Sequence, residues 1–158
     1  MISPVKAMIE KFYAAFQNKD AETMISCYAD DITFEDPVFG MLKDDDAKAI
    51  WRMLCRNARN LRVEVSDINA SLKKGSAHWE AWYTFGKTGR NVHNVVEATF
   101  EFKDGKIVKH TDSFNLYKWA SQALGFKGWL FARTASFKNK MQMQTHKLLA
   151  EFKEANKL

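Results

Sequence analysis

A chain of 158 residues with 46% apolar and 27% charged residues is long enough for one domain with a real core. It has no apolar run near the roughly 20 residues of a membrane helix, its start lacks the layout of a signal peptide, and its two cysteines have no metal or redox spacing. The net charge of +5 comes from scattered lysines and arginines, with only Arg52, Arg56 and Arg59 aligned at helical spacing. The expectation is a cytoplasmic protein with no nucleic-acid or membrane partner and no cofactor.

Ser3-Pro4 reads as a helix start, a capping hydroxyl followed by proline at the first helical position. Val5, Met8, Ile9, Phe12 and Phe16 then share a helical face, which leaves Tyr13 pointing elsewhere. After Asn18-Lys19-Asp20 the pattern predicts a short helix over Ala21 to Tyr28, then a strand over Ile32 to Glu35. Asp36 precedes Pro37, which biases it to an extended conformation at the strand's end. Gly40 and Asp44-Asp45-Asp46 mark a loop and an acidic helix start, and a third helix runs from Ala47 to Asn60 with Ile50, Trp51 and Leu54 inward.

Leu61 to Leu72 reads as a strand, and three longer ones follow. Trp79, Ala81, Tyr83 and Phe85 alternate with His78, Glu80, Trp82 and Thr84, the period-2 pattern of a half-buried strand. Lys87-Thr88-Gly89-Arg90 turns the chain into a second run, Asn91 to Phe102. Asp104-Gly105 supplies the positive φ of a hairpin, and a third strand spans Ile107 to Tyr117. Beyond it Trp119, Trp129, Leu130 and Phe131 are too apolar to stay free, so residues 118–158 are expected to dock as a helical extension on residues 1–117 or on a partner subunit. The last helix is predicted over Ser136 to Asn156. The element order gives an α+β fold with a curved sheet.

At this point two segments carry a resemblance. Tyr28-Ala-Asp-Asp-Ile-Thr-Phe-Glu-Asp-Pro-Val-Phe-Gly40 resembles ketosteroid isomerases, in which the Asp before Pro is the general base. The stretch from Thr88-Gly-Arg to Asp112-Ser-Phe114 resembles limonene epoxide hydrolases, whose catalytic Asp-Arg-Asp set has one carboxylate that matches Asp112. Both belong to the NTF2-like, or SnoaL-like, superfamily, and the resemblance covers about Val5 to Tyr117. It implies a cone of N-terminal helices in a curved mixed or antiparallel sheet. The tail from Tyr117 to Gly125 is similar to a bacterial SnoaL-like subgroup.

The departures are as informative. The isomerase's tyrosine and protonated aspartic acid fall on Phe12 and Ala98, and the hydrolase's arginine and other aspartate on Trp79 and Ala81. Neither standard constellation is present, although donors aimed at a developing charge usually supply the largest catalytic effect.

Strand parity combined with the family's register turns Asp36, Tyr83, Asn94, His110 and Asp112 into an aromatic cone. Asp36, His110 and Asp112 are the candidate catalytic residues, with Asp36 expected to titrate high through desolvation. Phe12, Trp79, Tyr83, Asn94 and Phe114 are the candidate ligand-binding residues. Each has a structural alternative: Asp36 can end a strand by accepting backbone bonds, and His110 with Asp112 can form a satisfied buried pair. Four histidines without compact spacing argue against a metal. Two classes stay open: a cofactor-independent isomerase, cyclase or hydrolase acting on a small apolar steroid-, terpene- or polyketide-like compound, and a non-catalytic ligand-binding or protein-interaction module. A homodimer is expected through the outer sheet face, where Glu80, Trp82, His93 and Val95 lie.

Overall fold

The computed structural model describes residues 3–157. Helix α1 (Pro4–Gln17) is capped by the Ser3 hydroxyl, which accepts from Lys6 N–H. Helix α2 (Ala21–Ser26) is capped in the same way by Asp20. Strands β1 (Tyr28–Asp36) and β2 (Gly40–Lys43) form a short hairpin, and α3 (Asp45–Asn57) follows. Then come β3 (Arg62–Ala70), β4 (Lys74–Phe85), β5 (Arg90–Lys103) and β6 (Lys106–Ser113). The chain closes with α4 (Leu116–Leu124), α5 (Phe126–Phe131) and α6 (Ala135–Ala155).

All six strands form one sheet in the order β2-β1-β6-β5-β4-β3, antiparallel except where β1 lies parallel to β6. This is the expected α+β cone. The period-2 pattern works as read: Val92, Asn94, Val96, Ala98 and Phe100 of β5 are buried, and the residues between them are exposed. The Asp104-Gly105 turn has positive φ at both residues, 52° and 77°, as a two-residue hairpin requires.

Four expectations need correction. The third long strand ends at Ser113, and Tyr117, expected at its end, lies in the first turn of α4, which Asn115 caps. Tyr28 begins β1 instead of ending α2. Gly40 to Lys43, expected as loop, is a strand paired with Thr33 to Asp36. It was invisible because four residues are too few to show a period. Tyr13 does not point away from the core. It is buried alongside Val5, Ile9, Phe12 and Phe16, since α1 lies inside the concave sheet and buries more than one stripe.

Strands β4 and β5 outrun β6, and α4 covers the overhang. The Gln122 side chain accepts from His93 N–H (2.7 Å) and donates to His93 C=O (3.1 Å), replacing the missing strand neighbour. Trp119 is buried there against Phe85. The extension therefore docks through α4, Ala132 and Leu149, whereas Trp129, Leu130 and Phe131 stay about half exposed on the single chain.

Gly128 permits the tight α4–α5 corner, since a Cβ there would lie 2.0 Å from the Ala120 carbonyl oxygen. Gly128→Ala should force the two helices apart and cost about 1–3 kcal/mol, as overpacking against backbone does. Thermal unfolding reads this, and an unchanged Tm would refute it.

Candidate functional site

The closed end of the cone is aromatic, and a chain of hydrogen bonds runs through it. Trp51 Nε1–H donates to the Tyr28 hydroxyl (2.8 Å), which lies 2.7 Å from His110 Nδ1. His110 Nε2 lies 2.9 Å from Asp112 Oδ1, which also receives Trp79 Nε1–H (3.3 Å). The tautomer follows from this order. Because Tyr28 accepts from an indole that can only donate, its own proton is free for Nδ1, and His110 carries its proton on Nε2 towards Asp112.

His110 has no exposed surface. It stacks on Trp51 (centroids 6.0 Å apart, 6° between planes), and Phe100, Phe34 and Phe12 complete a cage. The structure thus places His110 and Phe12 in the core, with no surface open to a ligand. Asp112 is buried too. No hydrogen bond from the described residues reaches its Oδ2.

Asp36 ends β1, the strand beside β6, where the parallel register Phe34↔His110 and Glu35↔Thr111 sets it next to Asp112, and it is partly accessible to solvent. Pro37 keeps it extended, and Oδ1 accepts the Val38 and Phe39 N–H groups at 2.9 and 2.6 Å. Burial pushes its pKa up to about 7, the two backbone donors oppose the rise, and the negative charges of Asp112 and Glu35 add to it. Tyr83, half-buried on β4, accepts from Trp119 Nε1–H (2.7 Å) and donates to none of the described residues. Burial raises its hydroxyl to about 12, with the charge of Asp36 adding to the effect. Asn94 is buried on β5, and Phe114 is half-buried just past β6.

The phenol that sequence reasoning missed is Tyr13. Its ring packs against Trp79 and Phe100, and its hydroxyl is a buried polar atom with no hydrogen-bond partner. Burial and the charge of Asp112 raise its pKa well above the usual tyrosine value. An orphaned hydroxyl facing the field of a carboxylate marks a polar place inside the cone.

The aromatic cone is packed at its narrow end by Phe12, Tyr13, Trp51, Trp79, Phe100 and His110. Two open grooves lie elsewhere. One of about 520 Å³ runs between α2, α3 and the end of α6, and one of about 510 Å³ follows the outer side of α6. Among the described residues no cluster of three or more His, Cys, Asp or Glu is arranged to hold a metal. His78 and His93 lie on the outer sheet face as expected, both hydrogen-bonded to Glu80. Cys27 and Cys55 are buried thiols.

Residues 9–110 match the model of the SnoaL-like domain. The chain belongs to that family. No curated protein matches the sequence. Among solved structures, an LEH-like epoxide hydrolase of M. tuberculosis is similar with 23% identity and a TM-score of 0.62, over 80% of this chain and 92% of that one. TsrD of Streptomyces laurentii superposes with a TM-score of 0.68 at 18% identity, over 80% and 98% of the two chains. A ketosteroid isomerase-like protein of Catenulispora acidiphila, in complex with trimethylamine, has a TM-score of 0.65 at 11% identity, over 73% and 91%. Identities this low establish the shared fold. No described helix is long and apolar enough to cross a membrane.

Proposed function

We propose that this SnoaL-like chain is a cofactor-independent acid–base enzyme of the isomerase, cyclase or hydrolase type, acting on a small apolar compound at the mouth of the cone. One observation carries the reading. Asp36 is a partly accessible carboxylate with one oxygen fixed by two backbone N–H groups and a proton affinity matched to neutral pH. Ionised, it takes a proton from a substrate carbon or from water; protonated, it returns one. Tyr83 has a proton to donate to oxygen that gains negative charge, a role for which Phe12 and Ala98 offer nothing. Asp112 orients His110 through their 2.9 Å contact, and Trp79, Asn94 and Phe114 supply ligand contacts. The epoxide hydrolase and isomerase-like folds among the structural neighbours agree with chemistry of this class.

The packed narrow end favours a second reading, a non-catalytic module that binds a small ligand or another protein. A homodimer accompanies either reading, since Val95 on the outer sheet face and Phe126, Trp129, Leu130 and Phe131 of α5 all leave apolar surface exposed.

Carboxyl ¹³C NMR titration, with native mass spectrometry of the purified protein, tests these statements. The expected results are a midpoint near 7 for Asp36, twice the chain mass, and a small molecule that copurifies. A midpoint near 4 overturns the acid–base role, and a monomer at micromolar concentration overturns the dimer.

A further inference from the structure

The turn that carries Asp36 is held from outside by the C-terminal helix. Gln142 Nε2 donates to Pro37 C=O (3.3 Å), the Thr145 hydroxyl to Val38 C=O (3.1 Å), and His146 Nε2 to Phe39 C=O (2.5 Å). Three consecutive carbonyls are thus gripped by side chains spaced i, i+3 and i+4, one face of α6. Thr145 is buried, and its hydroxyl also lies 3.0 Å from the Gln142 carbonyl. Contact is close enough that a Cβ on Gly40, whose φ is 70°, would sit 2.8 Å from Gln142 Oε1. Further along, α6 is tied to α3 by Lys153 with Asp46 (2.5 Å) and by Arg56 with Asn156, while Leu149 is buried in the core.

The covalent geometry gives these bonds a consequence. The carbonyl of Pro37 and the N–H of Val38 belong to one planar peptide group, and the carbonyl of Val38 and the N–H of Phe39 to the next. Those are the two N–H groups that Asp36 Oδ1 accepts. Each dipole aimed at the carboxylate is therefore held at its far end by α6, by Gln142 for the first and Thr145 for the second. A carbonyl that accepts a hydrogen bond polarises its peptide and makes the N–H across it a better donor.

We propose that Gln142, Thr145 and His146 are positioning residues for Asp36. Gln142 and Thr145 fix and polarise the two turn peptides that hold its carboxylate, and His146 fixes the peptide after them, so the C-terminal extension is a working part of the site. This rests on the reading of Asp36 as the proton-transfer group. The donors favour the ionised form, so weakening them without admitting water raises the proton affinity of Asp36. The other titratable groups that act on it are Asp112 on β6, Tyr83 on β4 and its neighbour Glu35, with His146 behind the turn. All of them stay unchanged in the comparison below.

Thr145→Val keeps the shape and burial of the side chain and removes the donor to Val38 C=O. Thr145→Ser restores the donor, and Gln142→Met removes the other grip. The expected result is an Asp36 midpoint about half a unit or more above wild type in Thr145→Val and Gln142→Met, with the wild-type value in Thr145→Ser. Amide hydrogen exchange of Val38 and Phe39 should speed up in the first two variants, with β5 amides unaffected. An intact fold with an unchanged or lower midpoint and unaltered exchange in both would overturn the proposal. The outcomes separate the two claims. A wild-type midpoint near 4 removes the acid–base role, whereas the exchange rates and variant differences report on the α6 contacts whatever that midpoint is.

Discussion

His110→Ala should be among the most damaging single substitutions in the chain, costing about 3–5 kcal/mol. Two losses add. The imidazole fills a cage made by Trp51, Phe34, Phe100 and Phe12, all buried, and removing it leaves a cavity that stiff rings fill poorly. It also orphans both partners. The Tyr28 hydroxyl loses its acceptor and Asp112 loses a donor, each in a place water does not readily reach. Asp112→Asn should be far milder, because an amide oxygen still accepts from His110 and Trp79 and no cavity forms. Chemical denaturation of the two variants beside wild type gives the comparison. A cost below about 1 kcal/mol for His110→Ala would mean that the network contributes little to stability.

The same contrast explains what could be seen in the sequence. His110 and Asp112 were legible as inward-facing because a strand's period of two assigns faces from two or three residues. Alternation in β4 and β5 and the Asp-Gly turn gave the meander, and Asp36-Pro37 gave the end of β1. A helix face is less decisive. Reading α1 as a single stripe excluded Tyr13, whereas a helix enclosed by a curved sheet buries residues over a wider arc. The hydrogen bond from Tyr28 to His110 spans 82 residues, and those from α6 to the Asp36 turn span 105 to 107. Side chains that bond to distant backbone carbonyls leave no periodic trace. Nor does composition say whether a cone of aromatic residues encloses space or fills it, since the same side chains do both. That is why the sequence alone leaves a filled cone and an open one as alternatives.

Asp36→Asn should abolish turnover and, above neutral pH, make the protein more stable. A carboxyl that titrates at about 7 in the folded chain titrates near 4 when unfolded. Between those values the native state holds a proton that the unfolded state has lost, so the contribution of Asp36 to stability is most favourable below about pH 4 and declines as pH rises to about 7. Above that the penalty is constant, on the order of 2–4 kcal/mol at about 1.4 kcal/mol per unit and with allowance for the partial exposure of Asp36. Asparagine resembles the protonated acid, and its oxygen can accept the same Val38 and Phe39 N–H groups without carrying a charge into the turn. The two proteins should therefore unfold alike near pH 4 and diverge in the variant's favour towards pH 8. Every other titratable group is common to both, so the difference between their stability curves isolates Asp36. Parallel curves would show that the carboxylate is not desolvated, and Asp36 would then be only the residue that ends β1.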